Sequence, residues 1–164
     1  MGAGAIGCFV GGALLAKGTA GVTFVGRESL QRSIGEHGLR LIGFGREDHI
    51  APDRVCFETD PQALATCDVV LVAVKSGSTL ETAKALAPVL RDGAVVVSLQ
   101  NGVRNADALR EHLPGHRVVT GVVCLNIVIG GAASFVQAIN GPVMVAGIER
   151  DIPGVVGGVY TSPS

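Results

Sequence analysis

An α/β fold, with a mostly parallel sheet covered by helices on both faces, is what the sequence predicts, and three observations predict it. Helix-like and strand-like stretches alternate along most of the chain, the pattern left by parallel strands joined through crossover helices. Two runs, Val69 to Val74 and Ala94 to Leu99, are apolar almost without interruption, as strands buried on both faces are. A glycine-rich turn, Gly2-Ala3-Gly4-Ala5-Ile6-Gly7, opens directly into a helical pattern.

Each element follows in order. Over Ala5 to Lys17, the residues Ile6, Phe9, Val10, Ala13 and Leu14 recur at helical spacing, and Gly18 is placed to cap the C-terminus. Gly21 to Gly26 reads as a short buried strand and Ser29 to His37 as a helix. Leu39 to Gly43 and Val55 to Phe57 read as short strands around a polar excursion, Arg46 to Arg54. Asp60 and Pro61 open a short helix through Leu64 that ends by Cys67. After the strand at Val69 to Val74, Thr79 to Leu90 is an amphipathic helix and Asp92-Gly93 a turn. The strand at Ala94 to Leu99 leads to a helix over Val103 to Leu113, stopped by Pro114-Gly115. From Val118 the chain reads as three or four short strands, and the pattern is lost at Pro153. The expected organisation is one domain over residues 1–150 and an unstructured or truncated tail over 151–164.

Composition narrows the function. The 164 residues fit one domain with a real core, being 48% hydrophobic and 16% charged. The 24 glycines, about twice average usage, are scattered through Val- and Ala-rich runs, which argues for tight turns and close backbone approaches. A formal net charge of −1, with no Lys/Arg cluster, excludes an electrostatic case for nucleic acid or an anionic membrane surface. Cys8, Cys56, Cys67 and Cys124 have no C-x-x-C spacing and no metal site is expected; they read as small buried hydrophobes of a cytoplasmic protein. Residues 1–16 and 118–148 lack charge, but glycines and polar breaks speak against a signal peptide or a membrane span.

Gly2-x-Gly4-x-x-Gly7 has the spacing of a dinucleotide fingerprint, the mark of a Rossmann-type doubly wound sheet. Its glycines allow a tight turn, bring a pyrophosphate against bare backbone, and let helix and strand pack closely. Twenty residues beyond Gly7, at the end of the second strand, stands Arg27. A guanidinium there suits the 2′-phosphate of NADP, whereas NAD calls for a carboxylate; a solvated strand-end arginine is the other reading, and Glu28 beside it complicates the choice. Lys75 and Asn101 end the two apolar strands, where open α/β sheets bind ligands. Lys75 is either a point charge for a cofactor or substrate carboxylate, or a lysine snorkelling from a strand end. Asn101 is either a hydrogen-bonding amide for substrate or nicotinamide, or a turn residue capping the next helix. None of His37, His49, His112 and His116 has an orienting carboxylate at a telling spacing, so no general acid is identified.

Taken together, Gly2 to Gly7, Arg27, Val72-Ala-Val-Lys75 and Gln100-Asn-Gly102 resemble the N-terminal domain of the ketopantoate reductase (2-dehydropantoate 2-reductase) family over nearly the whole chain. The resemblance implies NADPH as cofactor, with Gly2, Ala3, Gly4, Ala5, Ile6 and Gly7 at the pyrophosphate and Arg27 at the 2′-phosphate. It places Lys75 and Asn101 at both nicotinamide and substrate, a small 2-oxo acid. The reaction implied is reduction of 2-dehydropantoate to pantoate, in pantothenate and coenzyme A synthesis; another 2-oxo acid, or a non-catalytic NADP-binding fragment, are the alternatives. Two departures stand out. The family's hydrophobic strand before the first glycine is absent, which predicts two unpaired strand edges and a slot. The all-helical C-terminal domain with its catalytic lysine is also absent, so no catalytic residue is assigned here and weak or no turnover is expected. The oligomeric state is left open, a homodimer of the full-length enzyme included.

Overall fold

The protein is described here from a computed structural model that covers residues 1–18, 20–43, 45–145 and 159–160. Its helices are α1 (Ala5–Lys17), α2 (Glu28–His37), α3 (Thr79–Leu86) and α4 (Val103–His112). Its strands are β1 (Thr23–Val25), β2 (Leu39–Gly43), β3 (Arg46–Ile50), β4 (Cys56–Glu58), β5 (Val69–Val72), β6 (Val95–Ser98), β7 (Arg117–Val123), β8 (Asn126–Ile129), β9 (Ser134–Ile139), β10 (Val143–Val145) and β11 (Val159–Tyr160).

The parallel pairs β5–β6 and β6–β7 form the heart of the main sheet, extended by antiparallel β10 and β11 beyond β7. A second parallel pair, β1–β4, stands apart, because β1 and β5 each have a single strand partner among the described residues. Met1–Ala3 lies between their ends. The amides of Gly2 and Ala3 both donate to Val25 O at 3.0 Å, while Ala73 N donates to Met1 O at 3.0 Å and the Met1 amine to Leu71 O at 2.9 Å. The gap expected from the sequence is therefore present, bridged only at the end where the glycine turn begins.

Alternation along β5 and β6 sorts the core into two halves, as a sheet covered on both faces requires. Val95 and Val97 pack with Phe9 and Ala13 of α1, Phe24, Ile34 and Phe135. Val70, Val72 and Val96 pack on the other face with Ala83 and Leu86 of α3, and Ala106 and Leu109 of α4. Helix α1 lies close to its neighbours: a Cβ at Gly11 would come within 2.7 Å of Phe24, and one at Gly12 within 2.8 Å of Leu39.

Four expectations are revised. The polar excursion at 46–54 contains a strand, β3, because antiparallel pairing with β2 from Leu39↔Ile50 to Gly43↔Arg46 satisfies its backbone despite its charged side chains. With β8 and β9 these strands make a four-stranded sheet, β3-β2-β9-β8, that the sequence reading did not assemble. The helix at 79–90 ends at Leu86, just before Pro88, which has no N–H to continue the ladder. Of the four cysteines, Cys8 is buried and Cys67 half-buried, but Cys56 and Cys124 are exposed; Cys56 takes an outward position of β4. The boundary proposed at residue 150 lies outside the described residues, as does the tail except for Val159–Tyr160, which pair with β10. No helix of the described residues is long and apolar enough to cross a membrane.

Candidate functional site

The glycine turn, Arg27, Lys75 and Asn101 all follow or adjoin the C-terminal ends of β1, β5 and β6. Gly2 adopts φ +84°, which L side chains rarely take, and a Cβ there would come within 2.7 Å of Val74 N. A Cβ on Gly7 would overlap the Gly2 carbonyl oxygen, so Gly7 is required by packing within the turn itself. Gly4 differs from both: a Cβ there would meet nothing within 4 Å, so its bare backbone faces open space. Gly26, just before Arg27, packs against the turn from the other side, since its Cβ would come within 2.7 Å of Ala3 Cβ.

Gly4 is the N-cap of α1 and no side chain caps the helix. The first intrahelical bond is Cys8 N to Gly4 O at 2.9 Å, which leaves the amides of Ala5, Ile6 and Gly7 without intrahelical partners. The first turn carries no acidic residue. Uncapped amides at the positive end of a thirteen-residue helix, beside a bare glycine, fit a phosphate group. Two neighbouring groups are kept neutral by burial: the Met1 amine, whose pKa falls to about 6, and the Cys8 thiol, pushed up to about 12.

Arg27 is exposed and serves as backbone N-cap of α2, its carbonyl accepting from Leu30 N and Gln31 N, while its side chain makes no hydrogen bond or ion pair among the described residues. Glu28, which complicated the reading of Arg27, is paired instead with Arg32 one helical turn on, at 3.1 Å. Gln31 Nε2 donates to Phe57 O at 2.7 Å and holds α2 against β4. Arg27 therefore stands at the site's edge with its guanidinium available.

Lys75 is exposed and precedes a single 3₁₀ turn, Ser76–Ser78, whose cap it does not make with its side chain. Asn101 is exposed too, and the helix-capping alternative fails for it: Gly102, at φ +90°, is the N-cap of α4, with no side-chain cap bond. A polar network, buried at Ser98, Gln100 and Thr79 and partly open to solvent at Asn105, joins the two turns. Gln100 Nε2 donates to Val74 O at 3.1 Å and to Thr79 Oγ1 at 2.7 Å, and Ser98 Oγ lies 3.3 Å from Gln100 Oε1. Asn105 Nδ2 donates to Ser76 Oγ at 3.0 Å and to Asn101 O at 2.7 Å. Sequence reasoning missed Gln100, Thr79 and Asn105 as contributors to the site. The signal was the polar run Ser76, Ser78, Thr79 following one apolar strand opposite Gln100-Asn101 following the next.

With this geometry in place, likeness to known proteins is specific. Residues 1–149 match the family model described as "Ketopantoate reductase PanE/ApbA". The 2-dehydropantoate 2-reductase of Halobacterium salinarum is 40% identical over 122 residues, covering 74% of this chain and 39% of the relative. That of Mesorhizobium japonicum is 32% identical over 162 residues, covering 95% of this chain and 47% of the relative. Among solved structures, the PanE/ApbA family ketopantoate reductase of Ralstonia eutropha superposes with a TM-score of 0.80 at 36% identity, over 88% of this chain and 47% of that one. The chain thus spans less than half the length of these relatives. The turn at Gly2 to Gly7, the strand-end Arg27, Lys75 and Asn101, and the sheet that carries them have one explanation in common: this chain belongs to the ketopantoate reductase family.

Proposed function

We propose that this chain binds NADPH and forms the dinucleotide-binding part of an oxidoreductase that reduces 2-dehydropantoate, a small 2-oxo acid, to pantoate. The observation that carries the proposal is the uncapped start of α1 at Gly4, flanked by Arg27 on one side and by the Lys75 turn on the other. The names of the relatives support the substrate. In this reading the amides of Ala5, Ile6 and Gly7 hold the pyrophosphate at the positive end of α1, those of Gly2, Ala3 and Gly4 being bonded within the fold. Arg27 pairs with the 2′-phosphate, two of whose oxygens can accept together from its planar fork of donors. Lys75 supplies positive charge to the substrate carboxylate, and Asn101 an amide for the carbonyl or the nicotinamide; both side chains are exposed and unengaged among the described residues. NADPH, when bound, supplies the hydride that reduces the ketone. Proton delivery to the ketone oxygen is assigned to no residue of this chain.

The test is a fluorescence titration of the purified chain with NADPH and with NADH. Saturable binding that favours NADPH is expected. Arg27→Ala removes a charge-assisted contact of about 1.5–3 kcal/mol, so NADPH binding should weaken roughly 10- to 100-fold while NADH binding is unchanged. Absence of saturable binding, or equal losses for both cofactors, would overturn the proposal.

A further inference from the structure

We propose that Asn105 is a positioning residue that locks the Lys75 turn and the Asn101 turn into one rigid unit, an inference that rests on the cofactor-binding reading above. Backbone pairing between β5 and β6 ends at Val72↔Ser98, followed by one further bond, Leu99 N to Val72 O at 2.8 Å. Past that point the links between the two diverging segments run through side chains.

Asn105, on α4, reaches both turns from outside the two segments. Its single amide reaches Ser76 Oγ on one turn and Asn101 O on the other, while its Oδ1 accepts from Thr79 Oγ1 at 3.0 Å. Its orientation is determined by chemistry: a flipped amide would set Oδ1 against the Asn101 carbonyl, two acceptors face to face. Thr79 completes the arrangement. It is buried, its hydroxyl proton is shared between Ser76 O at 2.9 Å and Asn105 Oδ1, and its oxygen accepts from Gln100 Nε2. The network is anchored from behind by Gln100, itself buried.

The network leaves the exposed side chains of Lys75 and Asn101 unused. Two independent turns would each lose conformational freedom when a ligand engages both; turns already joined lose less, and the difference appears as affinity. Asn105 touches neither ligand nor cofactor in this account. It acts by holding two groups that do.

Hydrogen-exchange mass spectrometry on the whole chain, paired with NADPH titration, tests the proposal. Asn105→Asp keeps the shape but turns the donor at Asn101 O into an acceptor. Thr79→Val removes the hydroxyl, and Thr79→Ser restores it. In Asn105→Asp and Thr79→Val, exchange over residues 74–78 and 100–103 should accelerate together, with residues 126–139 at the wild-type rate. NADPH affinity should fall about tenfold, the equivalent of one ordinary hydrogen bond, and recover in Thr79→Ser. Acceleration in one turn only, in neither, or spread through residues 126–139 overturns the proposal. So does unchanged NADPH affinity in a variant whose turns have loosened. If the wild-type chain fails to bind NADPH, the cofactor reading falls, and the exchange data alone decide whether Asn105 couples the turns.

Discussion

Gly7 and Gly4 are separated by one turn of chain, yet alanine should act at them in opposite ways. A Cβ on Gly7 overlaps the Gly2 carbonyl oxygen, lies 3.3 Å from the carbonyl carbon, and reaches 3.5 Å from Ala73 Cβ. The Gly2 backbone cannot retreat, because it is itself packed against Val74 N. Overpacking of this kind costs about 1–3 kcal/mol, and a rigid backbone partner puts Gly7→Ala toward the upper end. Helix propensity returns up to about 1 kcal/mol. A net loss of about 1–2 kcal/mol follows, which for a chain of this size lowers the melting midpoint by roughly 2–8 °C. A Cβ on Gly4 meets nothing within 4 Å and its φ of −109° suits any residue, so Gly4→Ala should cost only about 0.5 kcal/mol, from the poorer fit of alanine to an N-cap. The new methyl would nevertheless occupy the open face of the turn and weaken NADPH binding. Thermal melts and NADPH titrations of both variants separate the two effects. Equal destabilisation by the two alanines, or a neutral Gly7→Ala, would refute the assignment of one glycine to packing and the other to a ligand.

Two further outcomes are expected. Because burial lowers the Met1 amine from 8.0 to about 6, the unfolded chain binds more protons than the folded chain between those values, so stability rises with pH across that window and is lost as pH falls through it. The full effect is about 2–3 kcal/mol, read by urea denaturation at pH 5.5 and 8.5; N-terminal acetylation should flatten the difference, and a dependence of opposite sign would contradict burial of the amine. Ala132 is exposed and held at φ +52° in the turn between β8 and β9, so Ala132→Gly should stabilise the chain by about 0.5–1 kcal/mol in the same assay, and destabilisation would argue against that backbone conformation.

What the sequence made legible was local. The glycine turn and the helix to Lys17, the β5 and β6 runs, and Gly18 as a left-handed cap are each dictated by neighbouring residues. What it concealed depends on distant partners. Nothing in Arg46-Glu-Asp-His-Ile50 reads as a strand; β3 exists because β2 lies beside it, and the Arg40–Glu47 contact that crosses the pair holds the Glu47 carboxyl below its usual range. Within the site, Arg27, Lys75 and Asn101 could be singled out because strand ends are where ligands sit. Asn105 could not, since its meaning lies in touching Ser76, 29 positions away in sequence.

The pairing of β2 with β9 has a consequence for how the protein is made. Residue 40 aligns with residue 134, so the small sheet cannot close until nearly the whole described chain has left the ribosome. Until then Leu39 and Leu41 have no Phe135 to pack against, and α1 lacks much of its apolar cover. Loop closure over such a span comes before any contact compensates for it, so this pairing is expected to form late. The parallel heart of the main sheet, β5 to β7, whose strands are near neighbours in sequence, should form first, with α3 and α4 already docked on its far face. The start of α1, where the glycine turn presents its amides, then acquires its final support last.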